Sequence, residues 1–390
     1  MNPKSGTIFI VCIMFGVFQG ILAQTEQPSG QAYRRTAIMN GNQVRTVFGN
    51  WGVIGQPGDQ GKRGAWRNDN NGYIGDVSPL VGVEAKWAGT TFHSVVTPPV
   101  GRPTRQRDED PNSGKPWTWE PELGYLNANQ QKVATSSDRE SWPGSWPDKL
   151  NDATDPGWRG SWNGYFGKRI NADLESYFVM NDNNDERFNS VSNNLFGIAF
   201  VPDSIRPSRK GVSLQMRVRG MQWAQFLAKD NIFWLYEITN TGTTTYDRAV
   251  FGMLVGTYVG VTSTEDYQEY ADDWSFFNID SNITYSGDYG RSTNNPLWVG
   301  RIGMVGYAFL ESPGNPFDGI DNDGDAGSSA FGLSAPQFTA SRFDSTLITS
   351  GMQIVLIQNT YGRSVYAVPT TPLGDSVLIT TRGRSVWIKP

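Results

Sequence analysis

The sequence predicts an all-β protein: an antiparallel β-sandwich overlaid by a long, irregular loop layer rich in Trp, Pro and Gly. Three observations carry that expectation. Short runs of β-branched and aromatic residues alternate with polar ones and are punctuated by Gly, Pro and Asn, as strands and turns are. No long segment repeats its apolar residues at helical spacing. The chain holds 44 glycines, 22 prolines and 13% aromatic residues, a composition of many turns and large packed rings.

Taken in chain order, the first element is a leader. Lys4 precedes the apolar run TIFIVCIMFGVFQGILA, which ends in Ala23 before the polar QTEQPSG. A basic start, an apolar centre and a small residue at the break describe a secretory signal peptide, residues 1–23, cut after Ala23. The run is short for the roughly 20 residues that span a bilayer, and no comparable run recurs, so no membrane span is expected after cleavage. Cys12 lies inside this run and is the chain's one cysteine, so disulfides, thiolate metal sites and cysteine nucleophiles are excluded from the exported form.

Residues 24–80 read as a polar leader and a glycine-rich loop. Gly49, Gly52, Gly55, Gly58, Gly61 and Gly64 recur at every third position, the spacing of a collagen triple helix. The run is too short and holds only Pro57, so a loop is expected. Residues 81–312 read as the sandwich core. SPLVGVEAKWAGTTFHSVV predicts two strands around a turn at Ala88-Gly89. About 97–171 is an insertion crowded with Trp, Pro, Gly and Asp, expected to be an ordered, irregular lid because tryptophan-rich segments pack. VSLQMRVRG alternates Leu214, Met216 and Val218 against polar partners. NIFWLYEITNTG predicts a central strand that becomes exposed at Glu237 and Thr239, and YDRAVFGMLVGTYVG its antiparallel hairpin partner. Residues 313–390 hold an acidic loop and a C-terminal β segment, with IGMVGYAFL just before it and SGMQIVLIQ, SVYAVP, DSVLITT and RSVWIKP within it as further strands.

DNIFWLYEITNTGTTTYDRAVFGMLVG, then EYADDWSFFNID and VGYAFLESPGNPFDGIDNDGD, resemble a group of secreted and cell-surface proteins of Bacteroidetes-type and related bacteria. SWPDKL, GSWNGYFG and NADLESYFVMNDNNDERF are similar to the segment preceding that core, so the resemblance covers most of residues 81–325. It implies export, often by the type IX route with a C-terminal sorting segment, and it brings no activity with it. The sequence shows no Tyr-Pro-Asn-Pro-like start of such a segment, and Gly256 stands where the relatives tend to carry aspartate.

Candidate sites are few. The net charge of −5 is spread without a Lys/Arg block, so no nucleic-acid footprint exists. The one histidine, His93, rules out multi-histidine metal sites, and no G-x-S-x-G elbow supports a triad around it. Asp318, Asp321, Asp323 and Asp325 in NPFDGIDNDGDAG offer alternate carboxylates in a Gly-containing loop, a pattern that suits Ca2+. An EF-hand is excluded, because counting from Asp321 puts Ala326 at the sixth position and Gly332 at the twelfth. The alternative is a solvated turn. NDNNDE, residues 181–186, offers oxygens to the same or another ion but is expected to be a polar hairpin loop. Asp272 and Asp273, readable as ligands or a carboxylate pair, are expected to be a solvated strand edge.

Trp117, Trp119, Trp142 and Trp146 raise the possibility of glycan binding, since sugar C–H faces stack on exposed indoles. No carboxylate pair is singled out for glycoside hydrolysis. The expectation is therefore a non-enzymatic exported protein, a structural or adhesive module at the cell surface or outside the cell, stabilised by Ca2+. A carbohydrate-binding module, alone or in a polysaccharide-degrading protein, is the alternative. The first expects residues 97–171 to be packed on themselves, the second an open aromatic groove.

Overall fold

A computed structural model describes residues 27–98, 109–110, 114–188, 198–262, 269–278, 283–289 and 293–310, and four strands between 355 and 388. The expected signal peptide and the acidic loop with Asp318, Asp321, Asp323 and Asp325 lie outside the described residues. Among the described residues no helix is long and apolar enough to cross a membrane.

The strands are β1 (Thr36–Met39), β2 (Val44–Gly49), β3 (Ala65–Trp66), β4 (Ile74–Trp87), β5 (Thr90–Val96), β6 (Glu120–Pro121), β7 (Leu174–Asn181), β8 (Leu214–Gln222) and β9 (Phe233–Asn240). They continue with β10 (Arg248–Thr257), β11 (Asp273–Asn278), β12 (Ile283–Asp288), β13 (Met304–Ala308), β14 (Val355–Gln358), β15 (Ser364–Val368), β16 (Ser376–Thr381) and β17 (Arg384–Ile388). Helical structure among the described residues is confined to short 3-10 turns. The protein is all-β, with antiparallel sheets in a sandwich-like arrangement.

Contacts divide the chain into two units. The first comprises Met1–Trp274 and Ser286–Val305, the second Ser275–Tyr285 and Gly306–Pro390. In the second, β14 to β17 form a four-stranded antiparallel meander in chain order, at four of the predicted C-terminal strands.

In the first unit, β6-β7-β8-β9 make one sheet and β10-β4-β5 another. Ile54 bridges Phe48 of β2 and Val77 of β4, tying the small β1-β2-β3 sheet to the second of these. The layers meet through rings: Phe48 stacks on Phe178 of β7 and meets Trp234 of β9 edge-on, and Tyr236 of β9 packs against Phe251 of β10. β7 is buried along its whole length. Phe178 and Met180 face the inter-sheet core, whereas Tyr177 and Val179 face the tryptophan layer, so both sides of β7 are covered.

Several expectations are corrected. β9 and β10 do not form a hairpin. Pro202 O accepts the amides of Thr243 and Thr244, so the connection folds over Pro202 and delivers β10 to the other sheet. There it pairs with β4 from Arg248↔Glu84 to Thr257↔Ile74. β9 is accordingly an edge strand of its sheet rather than a central one. The segment expected to be leader and loop contributes β1, β2, β3 and the start of β4. The glycine triplets form a folded loop in which Gly52, Gly55 and Gly64 have φ of 96°, 82° and 61°, values a collagen-like chain does not adopt. The β4–β5 turn at Ala88-Gly89 is as expected, with φ of 49° and 82°.

Candidate functional site

The insertion after β5 builds a layer on the outer face of β7. Tyr125, Ala134, Trp146, Trp162, Tyr177 and Val179 form one buried cluster, with Trp142 and Trp158 partly buried against it. Pro and Gly keep the backbone irregular, and 3-10 turns at Leu123–Tyr125, Arg139–Ser141, Pro147–Lys149 and Pro156–Trp158 set the rings inward. Trp146 meets Trp162 edge-on at 5.7 Å between centroids, and Trp142 lies tilted against Trp162 at 5.4 Å. The indole N–H groups are taken up internally: Trp142 donates to Thr135 O, Trp146 to Ser161 O, Trp158 to Asp152 Oδ2 and Trp162 to Glu175 Oε2. The guanidinium of Arg219 sits 3.9 Å from the Tyr177 ring centroid and donates to Asn163 O.

Of the four tryptophans singled out for glycan stacking, Trp117, Trp119 and Trp146 are buried, and Trp142 keeps a half-buried ring. They do not line one open groove. Trp117 is covered by the Arg187 guanidinium. A cleft of about 600 Å³ beside the layer, lined in part by Leu123, Leu126, Pro143, Pro147, Leu150 and Arg159, has no aromatic ring in its lining.

The acidic turn after β7 is built into the protein. Asp182 is fully buried and accepts the amides of Val212 and Leu214. Burial, reinforced by the Asp185 charge and opposed by those two amides and Arg187, raises its pKa to about 7. Asp185 is bound by Arg187 through three short hydrogen bonds. His93 is exposed on β5 and faces Glu84 across the strand pair at 3.1 Å, an ordinary cross-strand contact.

A second constellation unites residues distant in the sequence. Glu269, Asp272 and Asp288 each offer a carboxylate oxygen, and these oxygens lie within 4.8 Å of one another. Glu269 and Asp288 are buried and Asp272 is half-buried. The four residues between β11 and β12 allow only an antiparallel pair, and Tyr289 N donates to Asp272 O, so Asp288 arrives beside Asp272. A 3-10 turn, Glu269–Ala271, sets Glu269 one turn before β11. Gly260 shapes the floor: its φ is 110°, and a Cβ there would collide with Glu269 Oε2. Thr293 Oγ1 and Asn295 Nδ2 hold the Gly260 carbonyl in place.

Two unit charges this close repel by about 3 kcal/mol or more at an effective dielectric of about 20. Next to the cluster, burial raises the Asp273 pKa to about 6, with Asp288 and Asp272 adding to the shift. Sequence reasoning weighed Asp272 and Asp273 as ligands, a carboxylate pair or a strand edge, favoured the edge, and missed Glu269 and Asp288. The available signal was the spacing Glu269-x-x-Asp272 followed by an acidic residue at the far end of a hairpin.

Compared with known proteins, the chain matches no family model, and no curated protein or solved structure matches it.

Proposed function

We propose that the chain is a non-catalytic structural module of an exported protein, working at the cell surface or outside the cell. The observation that carries this reading is the closed tryptophan layer. Its largest rings are buried against one another and against β7, and their N–H groups are used internally. Indoles spent in this way stabilise an irregular surface, and the buried faces of Trp146 and Trp162 are closed to a sugar. The aromatic-free cleft beside them supports the same reading over the carbohydrate-binding alternative. Export is supported by the leader ending at Ala23.

A panel of immobilised polysaccharides and a glycan array probed with the chain tests the proposal. No retention is expected. Retention that disappears in Trp142→Ala would overturn it and establish a glycan-binding module instead.

A further inference from the structure

We infer that Glu269, Asp272 and Asp288 bind a hard divalent cation, Ca2+, at the base of the β11–β12 pair. The proposal goes beyond the structural reading and concerns a place different from the acidic loop at 318–325. Clustered carboxylates alone would be unremarkable on a surface. Here Glu269 is fully buried, and although its Oε1 accepts the amide of Asn294, its Oε2 meets no hydrogen-bond donor among the described residues. That oxygen occupies the space that glycine at 260 leaves open. No lysine or arginine among the described residues pairs with Glu269 or Asp272. Buried carboxylates are paired, protonated or bound to metal, because an isolated buried charge is too costly to keep.

The donor chemistry selects the ion. All the ligand atoms are carboxylate oxygens, with no imidazole or thiolate among them. Their spread of up to 4.8 Å matches two oxygens on one Ca2+, which stand at most about 4.6–5.2 Å apart at its usual bond lengths. Mg2+ draws its ligands closer and prefers to keep its water, so a purely carboxylate cluster of this width favours Ca2+. Trp274 gives the site a local reporter, since its indole N–H donates to Asp288 O at 3.3 Å.

The test is Tb3+ luminescence of the full chain under tryptophan excitation, with Ca2+ and Mg2+ as competitors, alongside thermal melts in CaCl2 and in EGTA. Saturable emission displaced by Ca2+ in preference to Mg2+ is expected, with Tm several degrees higher in CaCl2 because the ion binds only the folded state. Asp272→Asn, half-buried and therefore tolerated, should weaken the affinity at least about ten-fold, as loss even of groups that merely orient a ligand costs about 10–100-fold. Trp274→Phe should lower the emission while leaving the Ca2+-dependent Tm shift in place. Asp321→Asn combined with Asp323→Asn should change neither. The inference is overturned if there is no ion-dependent signal. It is equally overturned if the signal survives Asp272→Asn and is lost with the two acidic-loop substitutions.

Discussion

The indole N–H of Trp162 donates to Glu175 Oε2 at 2.6 Å, with both side chains buried. The other oxygen of Glu175 accepts the amides of Asn171 and Ala172, so one carboxylate on β7 fastens the end of the insertion and its central tryptophan together. No cation is needed for this arrangement, because three donors satisfy the charge.

Glu175→Gln keeps one acceptor and turns an amide donor toward either the indole or the backbone. It is expected to destabilise the fold by about 1–3 kcal/mol in urea unfolding, the cost of an unsatisfied buried polar group. Trp162→Phe removes the facing donor. The double variant should therefore lose less than the sum of the two single losses. Strict additivity would mean that the two groups are not coupled.

The ion pairs separate by burial. Asp185 and Arg187 have 0% and 9% of their side-chain surface exposed, whereas Lys86 and Asp247 have 66% and 51%. Arg187→Ala removes the guanidinium that neutralises a buried carboxylate and should cost about 3–5 kcal/mol. Lys86→Ala should leave the unfolding midpoint unchanged, because a solvated pair gains almost nothing on folding. Equal losses for the two variants, measured under one set of conditions, would contradict the assignment.

Asp182 gives stability a pH dependence of known sign. Unfolded, it ionises near the ordinary value of 3.8, and folded it holds its proton up to about 7. Between those values the folded state carries a proton that the unfolded state has released. The contribution is therefore complete below about pH 4 and fades as pH rises toward 7. Asp182→Asn cannot ionise and lacks this slope. The Tm advantage of the native chain over the variant should shrink from pH 4 to pH 8, and an advantage that grows would contradict the burial argument.

The sequence made some of this architecture legible, and the reasons differ by element. β8 could be read directly, because Leu214, Met216 and Val218 are buried and alternate with half-exposed Gln215 and Arg217. β7 could not, because LESYFVMN is buried on both faces and shows no alternation; its polar Glu175 and Ser176 are satisfied by partners elsewhere in the chain. The partner of β10 was hidden for a different reason. A local turn signal after Asn240 suggested β9, whereas the true partner, β4, lies far earlier in the chain. Tryptophan content announced an ordered insertion but not ring direction, which is set by Thr135, Ser161 and Glu175 accepting the indole donors. The carboxylate cluster was half visible: Asp272 is conspicuous, but Glu269 and Asp288 join it only through the fold.

The central claim is that the tryptophan layer is part of the core and not a lid over a binding face. Native-state hydrogen exchange measures this directly, through the amides of Trp146 and Tyr177 and the indole N–H groups of Trp146 and Trp162. The account predicts that all four exchange only through global unfolding, with the same opening free energy as the β7–β8 ladder. Exchange of the Trp146 and Trp162 groups through a separate, low-energy opening that leaves β7–β8 protected would contradict it.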